Sequence, residues 1–162
     1  NLNKDRAIGA FHWMFLAQPN PKPETMIGFD SDFFLEWLLK SWAAEGFLFN
    51  EKALNEYRRC FRNPEVIHAT CEDYRAGATI DFALDEEDRR MGRKIQCPIL
   101  FLWGAKRGFG GPKNASHNID PLEVWRQWAR DVSGGPIEAG HFLPEEAPDE
   151  VSNQLQEFLK RN

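Results

Sequence analysis

The chain has 162 residues, 42% of them hydrophobic, and its formal net charge is −5 at pH 7. This composition fits a globular protein with a sizeable core, and its 13 Phe and 6 Trp residues favour a core with a shaped cavity. No basic stripe is present and no apolar run reaches the ~20 residues that cross a bilayer, so binding of nucleic acid or insertion in a membrane is not expected.

The first half of the chain has the periodicity of helices. Four helices are predicted in chain order, over residues 5–18, 30–44, 50–63 and 64–83. Asp30 and Asn50 are suitable N-cap residues for the second and third of these helices. Between the first two, Pro19, Pro21 and Pro23 predict an extended connector that excludes a helix.

The second half has the pattern of alternating strands and helices. The apolar run 95–104 ends in glycine and is typical of a buried parallel strand. A glycine-rich loop and a polar segment follow, and a helix begins at Asp120, with proline at its first position. A second strand is predicted over 135–139, before the final helix. We therefore expect a helical module at 1–90 and a β-α-β-α portion at 91–162.

Two strands leave most edges of a sheet unpaired, so this portion needs strands from elsewhere. The chain opens on Asn1 rather than on methionine, and helical sequence is already under way by Asp5. We therefore expect an N-terminal half of the fold, upstream of Asn1, as the partner that completes the sheet.

The most informative segment is GHFLPEEAP at residues 140–148. Its histidine, His141, follows a predicted strand on a tight loop before the last helix, where an α/β-hydrolase places its general base. In that fold the nucleophile comes first along the chain and the histidine last. No Gly-x-Ser-x-Gly or Gly-x-Asp-x-Gly elbow occurs in the 162 residues, so the nucleophile is expected upstream. The alternative role for His141 is to cap the final helix.

Three further segments carry a resemblance to a known family. They are FHWMFLAQP at 11–19, CEDYRAG at 71–77 and PLEVWRQWA at 121–129. Together with the strand at 97–104 and the histidine loop, they resemble the fluoroacetate (haloacetate) dehalogenases of the α/β-hydrolase superfamily. The resemblance extends over almost the whole chain from about Asp5. It implies an α/β fold, namely the C-terminal portion of an α/β-hydrolase with a helical cap and an incomplete three-layer core.

The resemblance also implies roles for individual residues. It makes His12, Trp13 and Tyr74 the donors that bind the leaving halide, and His141 the base that activates water. The family's nucleophilic aspartate, triad acid and substrate-binding arginines would lie upstream of Asn1. The segment 105–118 departs from the family pattern and receives no substrate contacts. The resemblance implies no cofactor or metal, and it allows a homodimer.

Each assignment has a structural alternative. Without the resemblance, His12, Trp13 and Tyr74 would be ordinary helix residues, and Trp42 could either line the substrate tunnel or pack the cap. The remaining candidates are interpreted as structural, and the four histidines are too scattered for a metal site. Three tryptophans are assigned to the core (Trp103, Trp125, Trp128), and His68 and His117 either to the surface or to the core as hydrogen-bonded residues. Glu145 and Glu146 are interpreted as charges at a helix N-terminus. The three cysteines lack metal-binding spacing, which predicts reduced thiols in a cytoplasmic protein.

The leading functional hypothesis is hydrolytic dehalogenation of small 2-haloacids, with water as the second substrate. An epoxide hydrolase on the same scaffold is the first alternative, and it would use two cap tyrosines. Only Tyr57 and Tyr74 are present, and Tyr57 lacks the matching context. The second alternative is a non-catalytic or split fragment that needs its N-terminal half. A Gly-x-Asp-x-Gly elbow in the upstream reading frame would favour an enzyme over such a fragment.

Overall fold

The structure is a computed structural model that describes residues 4–106 and 120–161. The helices of the first part of the chain are α1 (Lys4–Gly9), α2 (Phe11–Leu16), α3 (Lys22–Phe29), α4 (Ser31–Trp42), α5 (Glu51–Phe61), α6 (Pro64–Ala78) and α7 (Ile80–Met91). The second part contains β1 (Ile99–Gly104), α8 (Pro121–Trp125), β2 (Val132–Ile137), α9 (Leu143–Glu146) and α10 (Pro148–Arg161).

The chain forms two compact units that interleave along the sequence. The first consists of Asn1–Trp37 and Asn50–Glu87, and the second of Leu38–Phe49 and Asp88–Asn162. The predicted boundary between a helical module at 1–90 and a second portion at 91–162 stays a prediction. Within residues 4–106 and 120–161, no helix is both long and apolar enough to cross a membrane.

The first unit is a helical bundle around a small buried cluster. Leu16, Ile27, Ile67 and Cys71 are almost completely shielded from solvent. They come from α2, α3 and α6, so these three helices share one core. Phe15, Phe34, Phe61 and Tyr74 pack around this cluster. Burial of apolar side chains is the main favourable term here, at roughly 25 cal/mol per Å² of surface removed from water.

The second unit contains a two-stranded parallel sheet. Strands β1 and β2 pair in register from Ile99 opposite Val132 to Gly104 opposite Ile137. Parallel neighbours need a crossover connection, and α8 lies within the one that joins these strands. Helices α8 and α10 both contact β2. Ile137 and Ala139, at the end of β2 and just after it, are buried at 1% exposure. The chain is therefore rigidly placed where it enters the histidine loop.

Two helix starts agree with the predicted caps, and the helix predicted to begin at Asp120 has a side-chain cap as well. The side chain of Asp30 accepts a hydrogen bond from the backbone N–H of Phe33, that of Asn50 accepts from Lys52 and Ala53, and that of Asp120 accepts from Leu122. Each carboxylate or amide oxygen thus satisfies a donor that the first helical turn leaves open.

Several boundaries differ from the prediction. The helix predicted over 5–18 is interrupted at Ala10, and the one predicted to reach Ala83 is interrupted at Thr79. The connector after Pro19 was wrongly predicted to exclude a helix, because α3 begins at Lys22 with Pro23 in its first turn. Proline is tolerated there, since the first turn has no intrahelical partner for its missing N–H. The glycine-rich and polar segments after β1 lie mainly in 107–119, outside the described residues.

Candidate active site

His141 lies on the loop between β2 and α9. Its backbone N–H donates to the carbonyl oxygen of Trp42 at 3.0 Å. Its ring packs edge-on against the ring of Trp42, with centroids 5.3 Å apart, and against that of Phe142, at 5.2 Å. The residue is nevertheless exposed to solvent. The loop thus holds the imidazole against two aromatic rings while leaving it accessible to water.

Trp42 is the last residue of α4 and belongs to the same unit as His141. Besides contacting the histidine, its indole stacks on Phe142, with an interplanar angle of 24°. Phe142 in turn packs edge-on against Phe49. The structure therefore brings together two of the predicted site residues, Trp42 and His141, that are almost 100 positions apart. The role of Trp42 in binding substrate stays a prediction.

The carboxylate of Glu146 holds the histidine loop through three backbone N–H groups. It accepts from Gly140 at 2.7 Å, from Phe142 at 3.0 Å and from Ala44 at 3.0 Å. Two of these donors flank His141, and the third follows Trp42. The interpretation of this residue as helix N-terminal charge missed that function. A carboxylate spaced four residues after Phe142 could have indicated the local bond, but not the bond to Ala44.

Two glycines allow the backbone to pack closely around this loop. A Cβ atom at Gly104 would lie 1.8 Å from the carbonyl oxygen of Gly140. A Cβ at Gly140 would lie 2.2 Å from the backbone nitrogen of Ala44 and 2.8 Å from Glu146 Oε1. Real Cβ contacts are longer than this, so any side chain at either position would displace the backbone.

We expect Gly140→Ala to destabilise the protein by about 1–3 kcal/mol, because the added methyl group overpacks the contact with Ala44. The free energy of unfolding in urea, determined on this chain joined to the N-terminal half of the fold, measures this effect. Gly135→Ala is the matched control, since a Cβ there meets no atom within 4 Å. Equal stability of the two variants would show that the loop can move away from α4 without cost.

His12, Trp13 and Tyr74 form an aromatic cluster in the first unit. His12 and Trp13 are consecutive on α2, and Tyr74 comes from α6. The centroid of the Tyr74 ring lies 6.0 Å from that of His12 and 5.3 Å from that of Trp13, and both contacts are edge-on. His12 and Tyr74 are half-buried, whereas Trp13 is 58% exposed. The structure thus groups the three predicted halide donors, although Tyr74 follows His12 and Trp13 by about 60 positions in the sequence.

The chemistry of this cluster suits neutral hydrogen-bond donation. Burial raises the pKa of the Tyr74 phenol, and the negative charge of Asp73 raises it further. The hydroxyl therefore keeps its proton at neutral pH and can donate a hydrogen bond. Indole N–H is a permanent donor, and imidazole offers one N–H even when neutral.

An ion-pair network fixes the helices that carry the cluster. Arg75, next to Tyr74, donates from Nε to the carbonyl oxygen of Gln18 at 2.8 Å and from Nη2 to Glu24 at 2.7 Å. Burial favours a higher pKa for Glu24, but hydrogen bonds from Arg75 and His68 outweigh it and lower that pKa.

Nearby, burial raises the pKa of the Cys71 thiol to about 11, so this thiol is unreactive at neutral pH.

His68, interpreted as a surface or core residue and not as a ligand, is one member of a group that could hold a metal ion, together with Glu24 and Glu72. Arg75 donates to Oε1 of both carboxylates. A guanidinium already supplies the positive charge that a cation would bring. The network is therefore better explained as a clamp between helices than as a metal site.

No protein-family model matches this chain. Solved structures resemble it over almost its whole length. ALR0039 from Nostoc sp. PCC 7120, provisionally named an α/β-hydrolase, is 46% identical, with a TM-score of 0.85 over 98% of this chain and 52% of its own. A provisionally named epoxide hydrolase from Pseudomonas aeruginosa is 43% identical, with a TM-score of 0.86 over 99% of this chain and 52% of its own, and one mutant was solved with bound MFA.

The chain belongs to the α/β-hydrolase superfamily. The predicted fold class is thereby confirmed, as a partial α/β-hydrolase fold with a helical portion and a small parallel sheet. Among curated proteins, this α/β-hydrolase chain is 40% identical to fluoroacetate dehalogenase from Burkholderia sp. over 151 residues, which are 92% of this chain and 47% of the relative. The predicted resemblance to that enzyme is confirmed as well. The chain spans about half the length of the relatives it matches.

Proposed function

We propose that this α/β-hydrolase chain supplies the water-activating base and the halide-binding donors of a dehalogenase that acts on small 2-haloacids such as fluoroacetate. A carboxylate on the other half of the fold attacks the carbon that bears the halogen, the carbon–halogen bond breaks, and halide leaves with the electron pair. His141 then takes a proton from water, whose oxygen attacks the resulting ester carbonyl. The imidazolium returns the proton to the departing oxygen, which yields the 2-hydroxyacid and the free carboxylate.

The observation that carries this proposal is the grouping of His12, Trp13 and Tyr74. Departure of fluoride as an anion is the difficult part of breaking a carbon–fluorine bond. Neutral N–H and O–H donors held together stabilise that charge only as it develops, which is the logic of an oxyanion hole applied to a halide. Similarity to a fluoroacetate dehalogenase over 92% of the chain supports the same chemistry.

An epoxide hydrolase is the second candidate, because the Pseudomonas aeruginosa neighbour carries that provisional name. Such an enzyme would use tyrosine hydroxyls to protonate the epoxide oxygen. Here Tyr74 shares its surroundings with an imidazole and an indole. Two nitrogen donors beside one phenol suit an anion that accepts several hydrogen bonds better than an oxygen that must receive a proton.

The test requires the full-length enzyme, which we define as this chain joined to a nucleophile-bearing N-terminal half. Purified enzyme is incubated with fluoroacetate, chloroacetate and styrene oxide. We expect release of fluoride and chloride, measured with ion-selective electrodes, and little diol from the epoxide. Rapid formation of the diol without halide release would favour the epoxide hydrolase instead.

Trp13→Phe is expected to lower kcat/KM for fluoroacetate by about 10²-fold, the usual effect of removing one donor to a developing anion. The effect on chloroacetate should be smaller, since chloride is larger, softer and less dependent on strong donors. Halide release under matched conditions gives both values. Trp37→Phe is the control, an exposed tryptophan of the same unit. Equal losses on both substrates would show that Trp13 does not bind the leaving halide.

A further inference from the structure

The carboxylate of Glu146 connects the backbone on both sides of His141 with the turn that follows Trp42. Its Oε2 accepts from the N–H groups of Gly140 and Ala44, and its Oε1 accepts from that of Phe142. The bonds from Gly140 and Phe142 fix the backbone on both sides of the histidine. The bond from Ala44 fixes the turn that follows Trp42, whose carbonyl oxygen accepts the N–H of His141.

We infer that Glu146 is a positioning residue for His141, and that it sets the rate of the step in which His141 acts on water. This inference rests on the proposed function. Hydrogen bonds from backbone N–H groups to a carboxylate are stronger than those between neutral groups, and this carboxylate is only partly accessible to solvent. Three such bonds to one side chain restrict the loop far more than one cap would.

The geometry of the neighbouring backbone supports this role. Gly140 approaches Ala44 so closely that no side chain fits between them, and Glu146 Oε1 lies on the same side. The loop and the end of α4 therefore meet through main-chain atoms, and one side chain satisfies the N–H groups of both. Without this side chain, the three N–H groups would lose their hydrogen-bond acceptor. The free-energy cost of unpaired donors would then drive the loop and the end of α4 apart.

The substitutions at Glu146 have graded consequences. In Glu146→Gln, one oxygen can still accept two bonds, but the amide NH₂ faces the remaining N–H group, donor against donor. Glu146→Ala removes all three bonds. Displacement of a catalytic group by about 1 Å can reduce a rate by about 10²-fold. We expect hydrolysis of the ester to slow by about 10-fold in Glu146→Gln and by about 10²-fold in Glu146→Ala.

The decisive measurement is rapid-mixing kinetics of halide release by the full-length enzyme. Halide leaves before His141 is needed, so Glu146→Gln should show a burst of about one halide per active site followed by a slow steady state. Merely structural damage would reduce the burst amplitude and the steady-state rate together. Glu157→Gln, which removes the same charge from the exposed side of α10, should behave as the unmodified enzyme. An unchanged steady-state rate in Glu146→Gln would overturn the inference.

A second measurement does not depend on the reaction. Hydrogen exchange of the backbone amides, followed by NMR, should accelerate at Phe142 in Glu146→Gln, accelerate at Gly140, Phe142 and Ala44 in Glu146→Ala, and stay unchanged in Glu157→Gln. Unchanged exchange would show that Glu146 does not hold the loop, and would overturn the inference even if turnover fell. If the unmodified enzyme releases no halide from haloacids, the proposed function fails, and exchange at these three amides still decides whether Glu146 fixes the loop.

Discussion

Replacing His141 with asparagine in the full-length enzyme is expected to lower turnover of fluoroacetate by about 10²- to 10⁴-fold, the contribution usual for a positioned general base. Asparagine is similar in shape but cannot take up the proton of water. In the proposed reaction the first chemical step does not use the histidine, so each enzyme molecule should still release one fluoride. The ester formed in that step should then accumulate.

Mass spectrometry of the denatured protein detects this ester as one added carboxymethyl group per chain. Glu157→Gln is the control, since Glu157 is exposed on α10 and takes no part in the proposed reaction. It should turn over normally and leave no adduct. Continued multiple turnover by His141→Asn would show that another group activates water and that the histidine loop has only a structural role.

Residues 1–162 alone are expected to release no fluoride from fluoroacetate. The sequence contains no elbow that presents a serine or aspartate nucleophile, so no ester can form for His141 to hydrolyse. Large apolar side chains are also exposed, among them Phe29 at 94% and Leu48 at 87%. Extensive apolar exposure promotes association, so we expect the isolated chain to aggregate or to lack fixed packing.

Adding a separately expressed half that carries the aspartate elbow should restore part of the activity by completing the sheet. Fluoride release is measured for the chain, for the other half and for their mixture. A mixture made with the elbow aspartate replaced by asparagine is the control and should be inactive. Robust turnover by residues 1–162 alone would mean that a carboxylate of this chain is the nucleophile. It would overturn the proposed division of chemistry between the two halves.

Local sequence predicted the elements that local interactions determine. The predicted caps at Asp30 and Asn50 each bond to a backbone N–H two or three residues away, so their signal lies within one turn. Strand β1 was found because its residues Ile99–Gly104 are continuously apolar. By contrast, β2 contains Gly134, Gly135 and Pro136, and its boundary was misplaced because pairing with β1 rather than its own composition defines it.

The features that were missed depend on a position where proline is tolerated or on contacts between residues far apart in the chain. Helix α3 was overlooked because Pro23 was taken as a helix breaker, although it lies in a first turn, where proline is accepted. The role of Glu146 could not be predicted, since its partner Ala44 lies 102 residues away. His141, Trp13 and Tyr74 were predicted from motifs and not from any periodicity, and only the three-dimensional structure groups Trp13 with Tyr74.

The close approach of Gly104 to Gly140 has a consequence for engineering by recombination. A Cβ at Gly104 would collide with the carbonyl oxygen of Gly140, so the end of β1 and the histidine loop constrain each other through main-chain atoms alone. Parents that differ in backbone path at either place cannot exchange one segment without the other. Chimeric libraries of this chain and its relatives should therefore inherit both segments from the same parent. Crossover points between β1 and the loop are expected to be depleted among folded progeny.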